Sequence, residues 1–349
     1  MGRKLFKGDE NRTEKMNIHR TIKQALCLFS LCSLFSCGAK PQSKASSSGD
    51  TLPKHQPTLT FNVDSAYAFV DKQVAFGPRV PNTEAHKACG NYLADELRRF
   101  GAKVYEQEAT LTAYNGDHLQ SKNIIGAFNP DASKRILLFA HWDTRPYADH
   151  DMDEANHRKA IDGADDGASG VGVLLELARL IGKTPPSVGI DIIFFDAEDH
   201  GAPTFVQSSS VDDWCLGSQF WAKHPHVKDY KAEFGILLDM VGSKNAVFYK
   251  ELTSVRYAAR YVELVWEKAR QLGYGKYFIN ANGGGVVDDH EYVIRGRGIP
   301  CLDIINYDPE SEKGFGMHWH TMDDSMKNID KETLYAVGHT VMEVIYEQQ

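Results

Sequence analysis

Beyond residue 58 the chain alternates between stretches in which apolar side chains recur every three or four positions and short runs that are apolar throughout. The first pattern predicts amphipathic helices over 63–76 and 84–100, the second with Cys89, Leu93 and Leu97 on one side. It returns over 168–181 (Val171, Leu174, Leu175, Ala178), over 253–272 (Val255, Ala259, Val262, Val265, Ala269) and over 331–346 (Leu334, Val337, Val341, Ile345). The second pattern, at 136–140, 190–195, 234–239 and 299–305, is bounded by turn or polar residues and predicts buried strands. Strands apolar on both sides and separated by helices imply a three-layer α/β/α domain whose central sheet is mixed but mostly parallel. In such sheets ligands bind beyond the carboxyl ends of the strands.

The 349 residues, 42% of them hydrophobic, suffice for a sizeable core, and one catalytic domain over 59–349 is expected. A net charge of −8 with no basic stripe excludes nucleic acid as a partner. The start differs from the rest. Basic residues from Arg3 to Lys23 precede an apolar run over 25–35 that is too short to span a bilayer, which predicts a signal peptide over 1–36; Met16 would serve as a start equally well. Its end, LFSCG, resembles the bacterial lipoprotein signal. That resemblance implies lipidation of Cys37, membrane attachment and a place in the bacterial cell envelope, on the outer membrane or periplasmic face; the alternative is an ordinary secretory signal. Residues 37–58, rich in Ser, Pro, Lys and Gln, read as a flexible linker. Cys89, Cys215 and Cys301 remain in the body, with neither metal-like nor redox spacing.

The polar residues after each apolar run form a short set: His141 and Asp143 in HWD, Asp196, Glu198 and Asp199 in FFDAEDHG, and Asp239 in LLDM. Asp166 in GADDGASG and His320 in HWHTMDD add two from loops. Taken singly, Asp166 reads as a helix N-cap and His320 as a structural histidine. Gathered at one sheet edge, so many carboxylates repel unless a cation sits among them. Oxygen and nitrogen donors without a thiolate suit Zn²⁺ held by three ligands with one open position, for which Asp166, Asp199 and His320 are the candidates. Glu198, next to a ligand, is left free as a proton shuttle.

Taken in order, HWDTRP, GADDGASGVGVLLELAR, IIFFDAEDHG, LGSQFWA, ILLDMVG, VVDDHEYV and HWHTMDD resemble the zinc aminopeptidase family and, within it, the glutaminyl cyclases, over the whole body from residue 76. The resemblance implies one zinc on Asp166, Asp199 and His320 and an acid/base role for Glu198. It further implies that Asp239 and Asp289 hold the leaving amide nitrogen and that Trp319, with Trp142, lines the substrate pocket. The implied substrates are peptides or proteins with N-terminal glutamine, closed to pyroglutamate with loss of ammonia. Asp199 stands where animal cyclases use glutamate, Asp303 where they place a histidine, and 147–159 is an insert expected to form a surface loop. A rival reading stays open, because His141 and Asp239 would complete a second zinc site bridged by Asp166, as in a two-metal aminopeptidase with Glu198 activating water. A binding protein on a dead peptidase scaffold is the third reading, although neither a ligand nor the base is missing.

Overall fold

The computed structural model describes residues 59–208 and 212–348. The expectations for the signal peptide, Cys37 and the linker lie outside these residues. Two helices open the fold: α1 (Val63–Val74), whose N-cap Asn62 accepts from the Ser65 N–H, and α2 (Glu84–Arg99), capped in the same way by Thr83 on the His86 N–H. An antiparallel hairpin follows, β1 (Lys103–Thr112) and β2 (His118–Phe128). Next come β3 (Arg135–His141), α3 (Ala168–Lys183), β4 (Gly189–Phe195), α4 (Leu216–Lys223) and β5 (Phe234–Asp239). The chain then forms β6 (Phe248–Lys250), α5 (Leu252–Gln271), β7 (Phe278–Asn282), α6 (Asp289–Arg297), β8 (Cys301–Ile305) and α7 (Lys331–Glu347).

The main sheet runs β1-β2-β4-β3-β5-β8, with β6 and β7 paired separately. Strands β4, β3, β5 and β8 are mutually parallel, and β2 joins β4 antiparallel, so the sheet is mixed and mostly parallel as expected. Alternation along each strand divides the core. Ile136, Leu138 and Ala140 pack with Ile192 and Ile236 under α1, α2, α3, α5 and α7, while Leu137 and Phe139 pack with Ile193 and Leu237 under Trp221 of α4 and Val293 of α6. Register levels the strand ends: Phe139 pairs with Leu237, which brings His141 and Asp239, each two residues on, to the same edge.

Three departures from the sequence reading have local causes. The β1–β2 hairpin was not expected. β1 is an edge strand alternating exposed and half-buried residues, and its charged outward positions hide any apolar run. In α5 the backbone of Ala258 leaves helical dihedrals (φ −133°, ψ 25°), and the inner side runs through Ser254, Ala258, Val262, Val265 and Ala269, with Ala259 facing out. The insert at 147–159 is more than a surface loop: Ala148 and Asp149 are buried and only later positions such as Met152 are exposed. Among the described residues no helix is long and apolar enough to cross a membrane.

Candidate metal and acid/base site

At the carboxyl edge of the parallel strands a cleft of about 560 Å³ is lined by Asp166, Glu198, Asp199, Asp239, Asp288 and His320, among others. His320 Nε2 lies 3.2 Å from Asp199 Oδ1 and 3.4 Å from Asp166 Oδ2. Bonds of about 2.0–2.1 Å to a tetrahedral ion set donor–donor edges of about 3.3 Å, so the spacing fits zinc. Asp166 Oδ2 and both Asp199 oxygens are buried without a hydrogen-bond partner, which is unfavourable for carboxylates unless a cation takes their lone pairs. Burial pushes the Asp199 carboxyl up from its ordinary range, and the Asp166 charge adds to this against the pull of His320. The N-cap reading of Asp166 fails, because Gly167 occupies the N-cap of α3 and no side chain caps it.

A second donor set shares the same carboxylate. His141 Nε2 is 3.0 Å from Asp166 Oδ1 and 3.3 Å from Asp239 Oδ1. Asp166 thus offers one oxygen to each set, and both are groups able to hold an ion. Burial raises the Asp239 carboxyl to about 6, with the nearby His141 imidazole opposing and the Asp166 charge adding.

Buried carboxylates fix the two turns that carry the donors. Asp143, fully buried, accepts the Glu198 N–H at Oδ1 (3.1 Å) and the Asp199 N–H at Oδ2 (3.2 Å). Asp324 does the same for the Asp165 and Asp166 N–H groups, at 2.8 and 3.2 Å. Arg145 forks onto Asp149 and donates to the Asp199 carbonyl (3.2 Å), and Asp149 lies 3.6 Å from His320 Nδ1 on the side away from the other donors. Four of the site's groups sit at or beside a left-handed residue: Gly167 (φ 98°) follows Asp166, Ala197 (φ 53°) precedes Glu198, Met240 (φ 49°) follows Asp239, and His320 is itself left-handed (φ 54°). Only Gly167 escapes strain, and a Cβ there would lie 2.6 Å from the Asp143 carbonyl. Glu198 has its carboxyl held well above the usual range, first by burial and then by the charges of Asp288, Asp199 and Asp289 against His141.

The cleft thus gathers Asp166, Glu198, Asp199, Asp239, Trp319 and His320, with His141 beside them. Two expected residues are elsewhere. Trp142 is fully buried; its indole stacks on His86 (4.3 Å), donates to the Lys122 carbonyl and lines a separate cavity of about 430 Å³. The alternation that turns His141 and Asp143 toward the cleft turns Trp142 to the opposite side. Asp289 is fully buried in the first turn of α6 and does not line the cleft; Asp288, the α6 N-cap, does, with its carboxyl pushed up to about 7 by burial and by Asp239. Asp196 is likewise turned away onto His86 at 2.9 Å, and Asp303 is buried beside His290, off the cleft. Trp319 is half-buried with its ring 3.8 Å from that of His320. Trp214, which sequence reasoning missed, lies nearly parallel to His320 at 6.1 Å and takes the Arg145 guanidinium on its face. Its only signal was an isolated tryptophan before LGSQFWA.

A parallel sheet edge that presents histidine and carboxylate donors around a buried glutamate, in a cleft walled by tryptophan, defines an enzyme of the zinc-exopeptidase-like class. The model of Peptidase family M28 matches residues 123–345, and the chain belongs to that family. It is similar to the crystal structure of Tannerella forsythia glutaminyl cyclase, 70% identical with a TM-score of 0.82 over 83% of this chain and 100% of that one. It is similar also to the crystal structure of a Zn-dependent exopeptidase from Parabacteroides distasonis, 68% identical with a TM-score of 0.82 over 83% and 99% of the two chains. Glutaminyl-peptide cyclotransferase of Bos taurus is 28% identical over 282 residues, 73% of this chain and 74% of its own length.

Proposed function

We propose that the chain is a glutaminyl cyclase that closes the N-terminal glutamine of peptides or proteins to pyroglutamate and releases ammonia, using one zinc ion. The observation that carries this reading is the half-buried Trp319 ring stacked beside His320 in the cleft that Glu198 also lines, which gives a flat apolar wall for an amide side chain near the metal donors. Likeness to the Tannerella enzyme supports it. Zinc on Asp166, Asp199 and His320 would supply a Lewis acid for the glutamine side-chain carbonyl. Glu198 takes a proton from the attacking α-amine as the new C–N bond forms, and returns it to the amide nitrogen as that C–N bond breaks. Asp239 and, in place of the expected Asp289, Asp288 would hold the departing nitrogen, since both line the cleft.

The second reading, a two-zinc aminopeptidase, rests on the complete donor set of His141, Asp166 and Asp239. Mass spectrometry of a peptide beginning with glutamine, incubated with residues 59–349 with and without a chelator, separates the two. Loss of ammonia from an intact chain, abolished by chelation, is expected. Release of the free first residue would overturn the cyclase reading. We further propose that lipidated Cys37 tethers the enzyme to the cell envelope, which a detergent-dependent extraction lost in Cys37→Ala would test.

A further inference from the structure

We propose that Cys215 is a positioning residue for Glu198, holding one oxygen of the carboxylate through its thiol so that the other faces the substrate. The inference rests on the acid/base role of Glu198 in the proposed reaction. Cys215 Sγ donates to Glu198 Oε1 at 3.2 Å, while the other oxygen, Oε2, lies 4.0 Å from His141 Nδ1. Backbone bonds fix the thiol in place: the Cys215 N–H donates to the Glu198 carbonyl (2.8 Å) and the Leu216 N–H to the Ala197 carbonyl (3.0 Å). The approach is close enough to need Gly217, where a Cβ would lie 2.1 Å from the Asp196 carbonyl.

Cys215 itself takes a left-handed φ of 57° at the start of α4, a conformation unfavourable for a residue with a side chain. The other two body cysteines, Cys89 and Cys301, belong to the apolar core, whereas Cys215 is fully buried against a carboxylate. The preceding residue, Trp214, lies against His320. One dipeptide therefore places its thiol on the proposed base and its indole ring alongside a metal donor. A thiol is a weak donor, so it orients the carboxylate without competing with substrate for it.

The test compares Cys215→Ala and Cys215→Ser in the zinc-loaded enzyme. Alanine keeps the Cβ and hence the backbone conformation but removes the donor; serine keeps a donor. Alanine is expected to lower kcat by roughly three- to tenfold, the worth of one ordinary hydrogen bond as befits a weak donor, with KM within about twofold and zinc content unchanged. Serine, which keeps a donor, is expected to recover kcat to within about twofold of the parent. A crystal structure of the alanine variant should show Glu198 in more than one rotamer, a readout that needs no turnover. Parent-like kcat with Glu198 unmoved, serine as impaired as alanine, or zinc lost from the alanine variant would each overturn the proposal. If the parent releases a free first residue rather than ammonia, the cyclase reading fails by itself and the same comparison is made on that hydrolysis.

Discussion

Replacing Asp143 by asparagine tests whether the site is held from behind. The side chain is fully buried and its two oxygens accept consecutive N–H groups at 3.1 and 3.2 Å, from the residues carrying the proposed base and a proposed metal ligand. Asparagine keeps one acceptor and turns an NH₂ toward the other N–H. One charge-assisted bond is lost and a buried donor is left unpaired, a destabilisation of about 2–3 kcal/mol. At about 2–4 °C per kcal/mol for a domain of this size, Tm should fall by roughly 5–10 °C. Because the peptide units of Glu198 and Asp199 move together, kcat should fall on the order of a hundredfold, the scale of a 1 Å misplacement. Thermal unfolding and turnover of the zinc-loaded variant are the assays, with exposed Asp95→Asn as a control expected to change stability by less than about 0.5 kcal/mol. Parent-like Tm and kcat in Asp143→Asn would refute the reasoning.

Three more outcomes are expected. Glu198→Gln should abolish activity while zinc content measured by elemental analysis stays that of the parent, and normal turnover would remove Glu198 from its role. His141→Ala should leave one zinc per chain and a measurable cyclase rate; a drop from two zinc ions to one with loss of turnover would instead mark the two-metal enzyme. Burial would push the Glu251 carboxyl up, yet the His290 imidazole at 3.1 Å and the Thr253 and Ser254 groups hold it down at about 2, below its ordinary 4.5. Its stabilisation is therefore full above about pH 4.5 and lost as pH falls through about 2, and amounts to about 3 kcal/mol. Glu251→Gln should be less stable than the parent by that order at pH 7 in urea unfolding, with the gap closing toward pH 2–3; a gap constant with pH would contradict the assignment.

The layers of the fold were legible because β3, β4 and β5 are buried on both sides and so carry runs that nothing but a core explains. Strand β1 and the short helices α4 and α6 carry no such run, and in β2 the buried apolar residues 124–128 follow a polar half, HLQSKN, that masks the strand's start and its hairpin partner. α6, N-capped by Asp288, opens with Asp289-His290 and ends Arg295-Gly296-Arg297, a composition that hides a helix whose inner side is largely polar. At the site, Glu198, Asp199 and Asp239 could be placed because strand ends converge, and Asp166 and His320, from loops, through their motifs. Distinguishing Asp288 from Asp289, or seeing that Trp142 points away, requires knowing which of two neighbours faces the cleft, a one-residue question that depends on turn geometry. Trp214, Arg145 and Asp149 come from loops and meet only in three dimensions.

The left-handed turns at Ala197, Met240 and His320 have a consequence for how this enzyme can change. Glycine at 197 or 240 would relieve roughly 1 kcal/mol of backbone strain at each position, so selection for heat resistance alone is drawn toward the residues that aim the chemistry. Improvements gathered there would trade turnover for durability, whereas the helical layers offer the same gain at no such expense. The molecule is accordingly divided into a frame free to drift and a rim of a few peptide units whose discomfort is maintained by function.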